Sequence, residues 1–292
     1  MLEISSNIVG LKFKPYSTEV QWRYTTNYAA SVGDANEWYL DDTKEEGIIA
    51  PPMFAVTITW PLVERINEYL EWPYSPDLLR TIVHYSEHLQ YERPIRPGDR
   101  LDIHGEIAAV LPHRAGTYLV LKFRAVSETG ETVFTEYTGG MLRGVKCADL
   151  GRGAEALPWL APLAIPENPI WTTSIPIPRE LPYLYDGCAN IVFPIHTSPR
   201  FARTAGLPDI ILQGTATLAL AVRELVRREG NGDPRRVIQL VANFGAMVIP
   251  DSNIELRLLA RKSIGDSIEL AFEVLNQNGE GAVHHARLLL NK

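Results

Sequence analysis

The sequence predicts an α+β fold made of two tandem repeats, each an antiparallel sheet wrapped around one long apolar helix. Three observations carry this. The 292 residues suffice for two domains of ordinary size. Elements of the same kind recur in the same order in the two halves. Each half holds one helix-length run that is apolar on all sides, followed by a series of strand-length runs.

In the first half, 28–39 (YAASVGDANEWY) reads as a short helix and loop. An acidic loop then leads to GIIAPPMFAVTITWPLVERINEYL, whose part from Met53 to Leu70 is apolar all round and predicts a buried helix. Strands follow at 84–93, 100–111, 117–127 and 132–143, rich in Val, Ile, Tyr, Phe and Thr. Turn signals separate them: Arg96-Pro97-Gly98-Asp99, Arg114-Ala115-Gly116 and Glu128-Thr129-Gly130. In the second half, 179–189 reads as a helix and 210–228 as a loop feeding a long apolar helix. Strands follow at 236–244, 253–261, 267–275 and 281–290. The domain boundaries are then 1–145, an Ala/Pro/Gly-rich linker at 146–170, and 171–292. A helix buried on all sides requires a sheet that curls around it, and such a sheet leaves an edge that a second copy covers. This is the double hot-dog arrangement. Two unrelated α+β domains are the plainer alternative.

Composition narrows the function classes. Apolar residues make up 46% and charged residues 22%, the balance of a water-soluble globular chain. No apolar run reaches the length of a membrane span, and the start lacks the pattern of a secretory signal. Cys147 and Cys188 show no metal-ligand spacing and suit a reducing compartment, so a cytoplasmic location is expected. The net charge of −7 argues against a nucleic-acid partner. No cofactor or metal motif is present.

Five pieces carry a family resemblance: YAASVGDANEWYLDD, IIAPPMFAV, HYSEHLQYERPIRPGDRL, PIHTSPRFARTAGLPD and IILQGTATLALAV. Together they resemble the MaoC-like dehydratase and (R)-specific enoyl-CoA hydratase (hydratase 2) family. The resemblance implies a hydro-lyase that adds or removes water across the α,β bond of an acyl thioester, carried by CoA or an acyl carrier protein. The family motif is Gly-Asp-x-Asn-Pro-Ile-His, in which the Asp and His move water and a proton. Here neither half keeps the pair. The first half has Asp34 but Tyr39 in the histidine position. The second has His196 but Ile191 in the aspartate position.

The helix starts discriminate between the halves. Aligned on their shared Ile-Ile, Gly214 stands opposite Pro52. Free N–H groups at a helix start hold a developing oxyanion. Gly214 offers one without a side chain, whereas Pro51 and Pro52 have none. The expected catalytic set is therefore His196, the Gly214 N–H, and Asn190 or Asp186 in place of the lost acid. Gln213, Thr215, Tyr185 and Arg203 are expected beside the substrate, with Arg200 a further phosphate contact. The first half is expected to shape the acyl tunnel, with Trp38, Tyr39, Trp60, Trp72 and Tyr74 narrowing it. His84, His88, His104 and His113 read as surface or pore-lining. His284 and His285 are expected on opposite faces of the last strand.

The broken motif keeps other readings open. One is a divergent relative that cyclises a specialised intermediate. Another is a non-catalytic subunit that binds acyl thioesters. A thioesterase wants a carboxylate near the helix start, where Gln213-Gly214-Thr215 supplies none. Exposed sheet edges also predict pairing of the tandem chain into a homodimer.

Overall fold

One antiparallel sheet of ten strands organises the chain. The computed structural model describes residues 2–292 apart from 72, 76–77, 79–81, 159 and 162. In chain order the first half contains β1 (Glu3–Ile4), β2 (Tyr16–Glu19), α1 (Trp22–Ser31), α2 (Glu37–Leu40), α3 (Ala55–Glu64) and α4 (Ile66–Tyr69). Then come β3 (Ile82–Tyr91), β4 (Arg100–His113), β5 (Gly116–Ser127), β6 (Thr132–Arg143) and β7 (Lys146–Cys147). The second half contains β8 (Trp171–Ile177), α5 (Leu181–Ala189), α6 (Pro199–Thr204), α7 (Gly214–Glu229), β9 (Val237–Phe244), β10 (Ser252–Ile264), β11 (Ser267–Leu275) and β12 (Gly281–Asn291).

The strand order β2-β4-β5-β6-β3-β9-β12-β11-β10-β8 is two matching five-strand units joined edge to edge. This is the double hot-dog. The join is the antiparallel pair β3–β9, with register from Ser86↔Asn243 to Gln90↔Gln239, symmetric about His88↔Val241. The pairing removes the edge that each unit would otherwise expose.

Each unit wraps its own helix. In α7 every residue from Thr215 to Val222 is buried, which no amphipathic surface helix shows. Its capacity to run 16 residues follows from Leu, Ala, Arg and Glu, all good helix formers. Glu224 anchors Arg223, Arg227 and Arg228 near its far end. The first-half helix is shorter than the expected 53–70. Pro51 and Pro52 start it as a 3-10 turn, Pro61 interrupts its hydrogen bonding, and Arg65 breaks it (φ −112°, ψ 40°) into α3 and α4.

Three further differences from the sequence reading are local. The edge strands β2 and β8 are additional. Lys146–Cys147, the start of the expected linker, pairs in parallel with Glu3–Ile4 and so closes the first unit. His284 and His285 do not alternate. A register shift between His284 and Arg287 places His285 at φ +51°, and the two rings sit 5.0 Å apart. Among the described residues no group of His, Cys, Asp or Glu is arranged to hold a metal ion, and no helix is long and apolar enough to cross a membrane. Trp72 lies outside the described residues.

Candidate active site

The start of α7 is built from a glycine, an aromatic ring and a histidine loop. Gly214 is the first helical residue, so its N–H has no partner within the helix. It is half-buried, while Gln213 and Thr215 on either side are buried. A Cβ on residue 214 would lie 3.0 Å from Phe244 Cδ1 and 3.3 Å from its Cε1. Glycine is what lets the Phe244 ring lie against the helix start.

His196 reaches the same place from the loop after α5. The loop turns through His196 N–H to Phe193 O (3.1 Å), and Ile211 N–H bonds Ile195 O (3.3 Å). The ring Nδ1 lies 2.8 Å from Ile211 O. A carbonyl oxygen only accepts, so Nδ1 carries the proton and Nε2 keeps a lone pair. Burial lowers the imidazole pKa to about 4, so the ring is neutral at ordinary pH. The result is a fixed tautomer with an unprotonated Nε2, tied to the carbonyl of Ile211, which stands three residues ahead of Gly214.

The other expected residues have diverse surroundings. Gln213 is buried. Its Nε2 donates to Pro182 O (3.1 Å), and its Oε1 has no partner among the described residues. Thr215 is buried and hydrogen-bonded to Tyr185. The Tyr185 hydroxyl is fully buried and lies 3.1 Å from that of Tyr28 in the first half. It is committed to joining the repeats, and burial pushes its pKa up to about 12. Asp186 is half-buried, its Oδ1 is enclosed without a partner among the described residues, and desolvation raises its pKa. Asn190 is exposed at φ +53°, where it caps α5 through its N–H to Asp186 O. A left-handed cap is a position asparagine tolerates, which gives a structural cause for Asn190. Ile191 is buried. Arg203 and Arg200 are exposed on α6.

The corresponding place in the first half is built differently. Tyr91 OH donates to Pro52 O, and a small cavity beside them is lined by Ile49, Pro51, Pro234 and Val237 among others. Asp34 is raised in pKa mainly by burial, opposed by the hydrogen bond from the Asn36 N–H and by Arg223. Tyr39 is buried near it. Arg223 crosses from α7 to bond Val32 O at 2.6 Å. With proline at the helix start and Tyr39 in the histidine position, this helix start has neither the glycine N–H nor the loop histidine of its counterpart.

Sequence reasoning missed a buried polar cluster on β3 and β6. Glu87 and Glu136 are 1% and 2% exposed and hydrogen-bond each other. Desolvation raises both carboxyls, Glu87 to about 8. Each also has one enclosed oxygen, Glu87 Oε1 and Glu136 Oε2, with no donor to it among the described residues. His84 Nε2 faces Glu87 Oε2 (3.1 Å), Ser86 O (3.1 Å) and Thr138 Oγ1 (3.2 Å). The signal was present. Glu87 alternates with Leu89 and Tyr91, so a period of two already sends it to the core face. His88, read as surface or pore-lining, is 7% exposed and bonded to Gln239 Nε2 at 2.8 Å, because it sits at the centre of the join between repeats.

Two family models match. A FAS1-like dehydratase domain region covers residues 7–136, and a MaoC-like domain covers residues 169–274. The chain belongs to the MaoC-like dehydratase family. A UPF0336 protein of Streptomyces coelicolor is 30% identical over 145 residues, 47% of this chain and 93% of that protein. A protein of Arabidopsis thaliana named enoyl-CoA hydratase 2, peroxisomal, is 25% identical over 264 residues, 80% of this chain and 81% of that one. The crystal structure of a MaoC-like dehydratase from Phytophthora capsici superposes with a TM-score of 0.84 at 18% identity, covering 98% of this chain and 97% of that one. This last likeness is one of fold. The MaoC-like match falls on the half that carries His196 and Gly214.

Proposed function

We propose that this MaoC-like chain is a hydratase or dehydratase of acyl thioesters, working at the start of α7. The observation that carries the reading is the pairing of a bare Gly214 N–H with a neutral His196 whose Nε2 lone pair is fixed by the Nδ1–H bond to Ile211 O. In hydration, the thioester oxygen accepts the Gly214 N–H. His196 Nε2 takes a proton from water while the hydroxyl adds to Cβ. The electron pair of the double bond moves onto the thioester as an enolate, stabilised by the helix start. The imidazolium then returns the proton to Cα. One water is added and the histidine is regenerated. Dehydration is the reverse.

Ile211 O stabilises the transient imidazolium, as an orienting acceptor does for any general base. Asp186, whose enclosed oxygen has no partner among the described residues, is the nearest acid by sequence to His196 and fits an orienting role better than the exposed Asn190. CoA or an acyl carrier protein bears the acyl group, and Arg200 and Arg203 are the cations on α6 available to its phosphates. A shared edge of β2 or β8 would serve a homodimer. The test is loss of the conjugated thioester absorbance when the chain meets enoyl-CoAs of graded length. His196→Ala should lower kcat by about 10²–10⁴-fold. Full turnover in that variant overturns the assignment, and no turnover of any enoyl thioester by the unaltered chain overturns the function.

A further inference from the structure

The double repeat places different residues at two equivalent mouths. The join is symmetric about His88↔Val241, so Tyr91 corresponds to Phe244 and His84 to Val237. At the first-half mouth, Tyr91 bonds Pro52 and Val237 arrives from the other repeat. At the second-half mouth, Phe244 lies on Gly214, and the equivalent arrival from the other repeat is His84, whose ring centroid is 4.6 Å from that of Phe244. The polar arrival therefore falls on the side with the free N–H, and the apolar one on the side whose helix starts with proline.

His84 is also prepared in the same way as His196. Ser86 O lies 3.1 Å from Nε2 and only accepts, so Nε2 carries the proton and Nδ1 keeps the lone pair. Glu87 Oε2, 3.1 Å away, and Thr138 Oγ1, 3.2 Å away, hold the same nitrogen. The Glu87–Glu136 pair behind it is enclosed and fixes the ring from the core side. The His84 side chain is 30% exposed, and Nδ1 makes no hydrogen bond of its own among the described residues. Burial keeps this imidazole neutral as well.

We infer that His84, supplied by the first repeat, is a second catalytic residue of the second-repeat site, and that its Nδ1 accepts the other O–H of the attacking water. This inference rests on the proposed hydro-lyase function. It accounts for the departure at Ile191. The motif's aspartate would orient water from within its own repeat, whereas here a histidine does so from across the join. The proton balance is unchanged. His196 Nε2 takes one water proton and delivers it to Cα, and His84 accepts a hydrogen bond from the O–H that remains on the product, without taking its proton.

The experiment measures enoyl-CoA hydration by the full chain and by His84→Ala, His196→Ala and His84→Leu, with thermal unfolding of each. His84→Ala and His84→Leu should lower kcat by at least about tenfold with KM within about threefold, since positioned acid–base groups contribute in this range or above it. Two neutral imidazoles should also give the unaltered chain a steeper acid limb in log kcat than either single-histidine variant gives. Both His84 variants retaining kcat, or a change confined to KM, overturns the role of His84 while leaving the proposed function standing. An inactive unaltered chain overturns both.

Discussion

Glu87→Gln separates the energetic cost of the buried carboxyl pair from its geometry. Glutamine keeps an oxygen to accept the His84 Nε2–H and offers an amide N–H to Glu136, but it cannot ionise. Glu87 is raised from 4.5 to about 8 by desolvation, its largest cause, opposed by hydrogen bonds from Glu136, Thr138 and the His88 backbone. His84, Thr59, Tyr91, Tyr118 and Tyr185 are the other polar groups facing the pair. Because the folded-state pKa is the higher one, the folded chain holds a proton that the unfolded chain releases. The stability this contributes is complete below pH 4.5 and is lost as the pH rises through about 8. Between pH 6.5 and 9 the loss amounts to about 2 kcal/mol, at about 1.4 kcal/mol for each pH unit up to the folded-state value. In a chain of this size that corresponds to a fall in Tm of about 4–8 °C. The assay is thermal unfolding by circular dichroism at the two pH values. The original chain should lose Tm over this interval, and the variant should lose distinctly less. An equal fall in both would refute a proton-sharing pair at Glu87 and Glu136.

Three other outcomes follow from the same geometry. Gly214→Ala gains helix propensity of up to about 1 kcal/mol, but its Cβ meets Phe244 at 3.0 Å. Turnover should fall by about tenfold or more with little change in Tm, and unchanged turnover would remove Gly214 from the site. Tyr28→Phe leaves the buried Tyr185 hydroxyl without its 3.1 Å partner and should cost about 1–2 kcal/mol; adding Tyr185→Phe should cost less than its own single effect, so strict additivity in a double-mutant cycle counts against the pair. Turnover should hold steady down to about pH 5 and decline as His196 gains a proton near pH 4, and an acid limb centred near 6.5 would show that the ring is not desolvated. Stability should fall in the same direction, since His84, His88 and His196 are each lowered to about 4, so their contribution is complete above 6.5 and lost on acidification.

Much of this architecture was legible because it depends on period and punctuation. The strands 132–143 and 267–275 coincide with β6 and β11, whose alternation and flanking turns are local properties. The inequality of the halves was legible too, because a proline has no N–H in any fold. The edge strands were not. Tyr16–Glu19 is short, and the Trp171–Ile177 run contains a proline, which only an edge tolerates well. Their pairing depends on β4 and β10, far along the chain.

The sequence by itself determined two repeats and the helix that each encloses, and it set a glycine at one helix start against a proline at the other. The parity that Glu87 shares with Leu89 and Tyr91 was also there to be read. Only the tertiary structure decided which side chain of the first repeat meets Phe244. The alternation of a regular strand sends His84 and Glu87 to opposite faces, but a register shift between His84 and Ser86 turns the histidine onto the Glu87 side. The antiparallel join then carries it across to Phe244, the ring that lies on Gly214. A bulge is one extra residue accommodated by the neighbouring strand, and the join is a pairing between segments some 150 residues apart. Neither leaves a mark on local periodicity, so the residues nearest the helix start became known only when the two repeats were closed against each other.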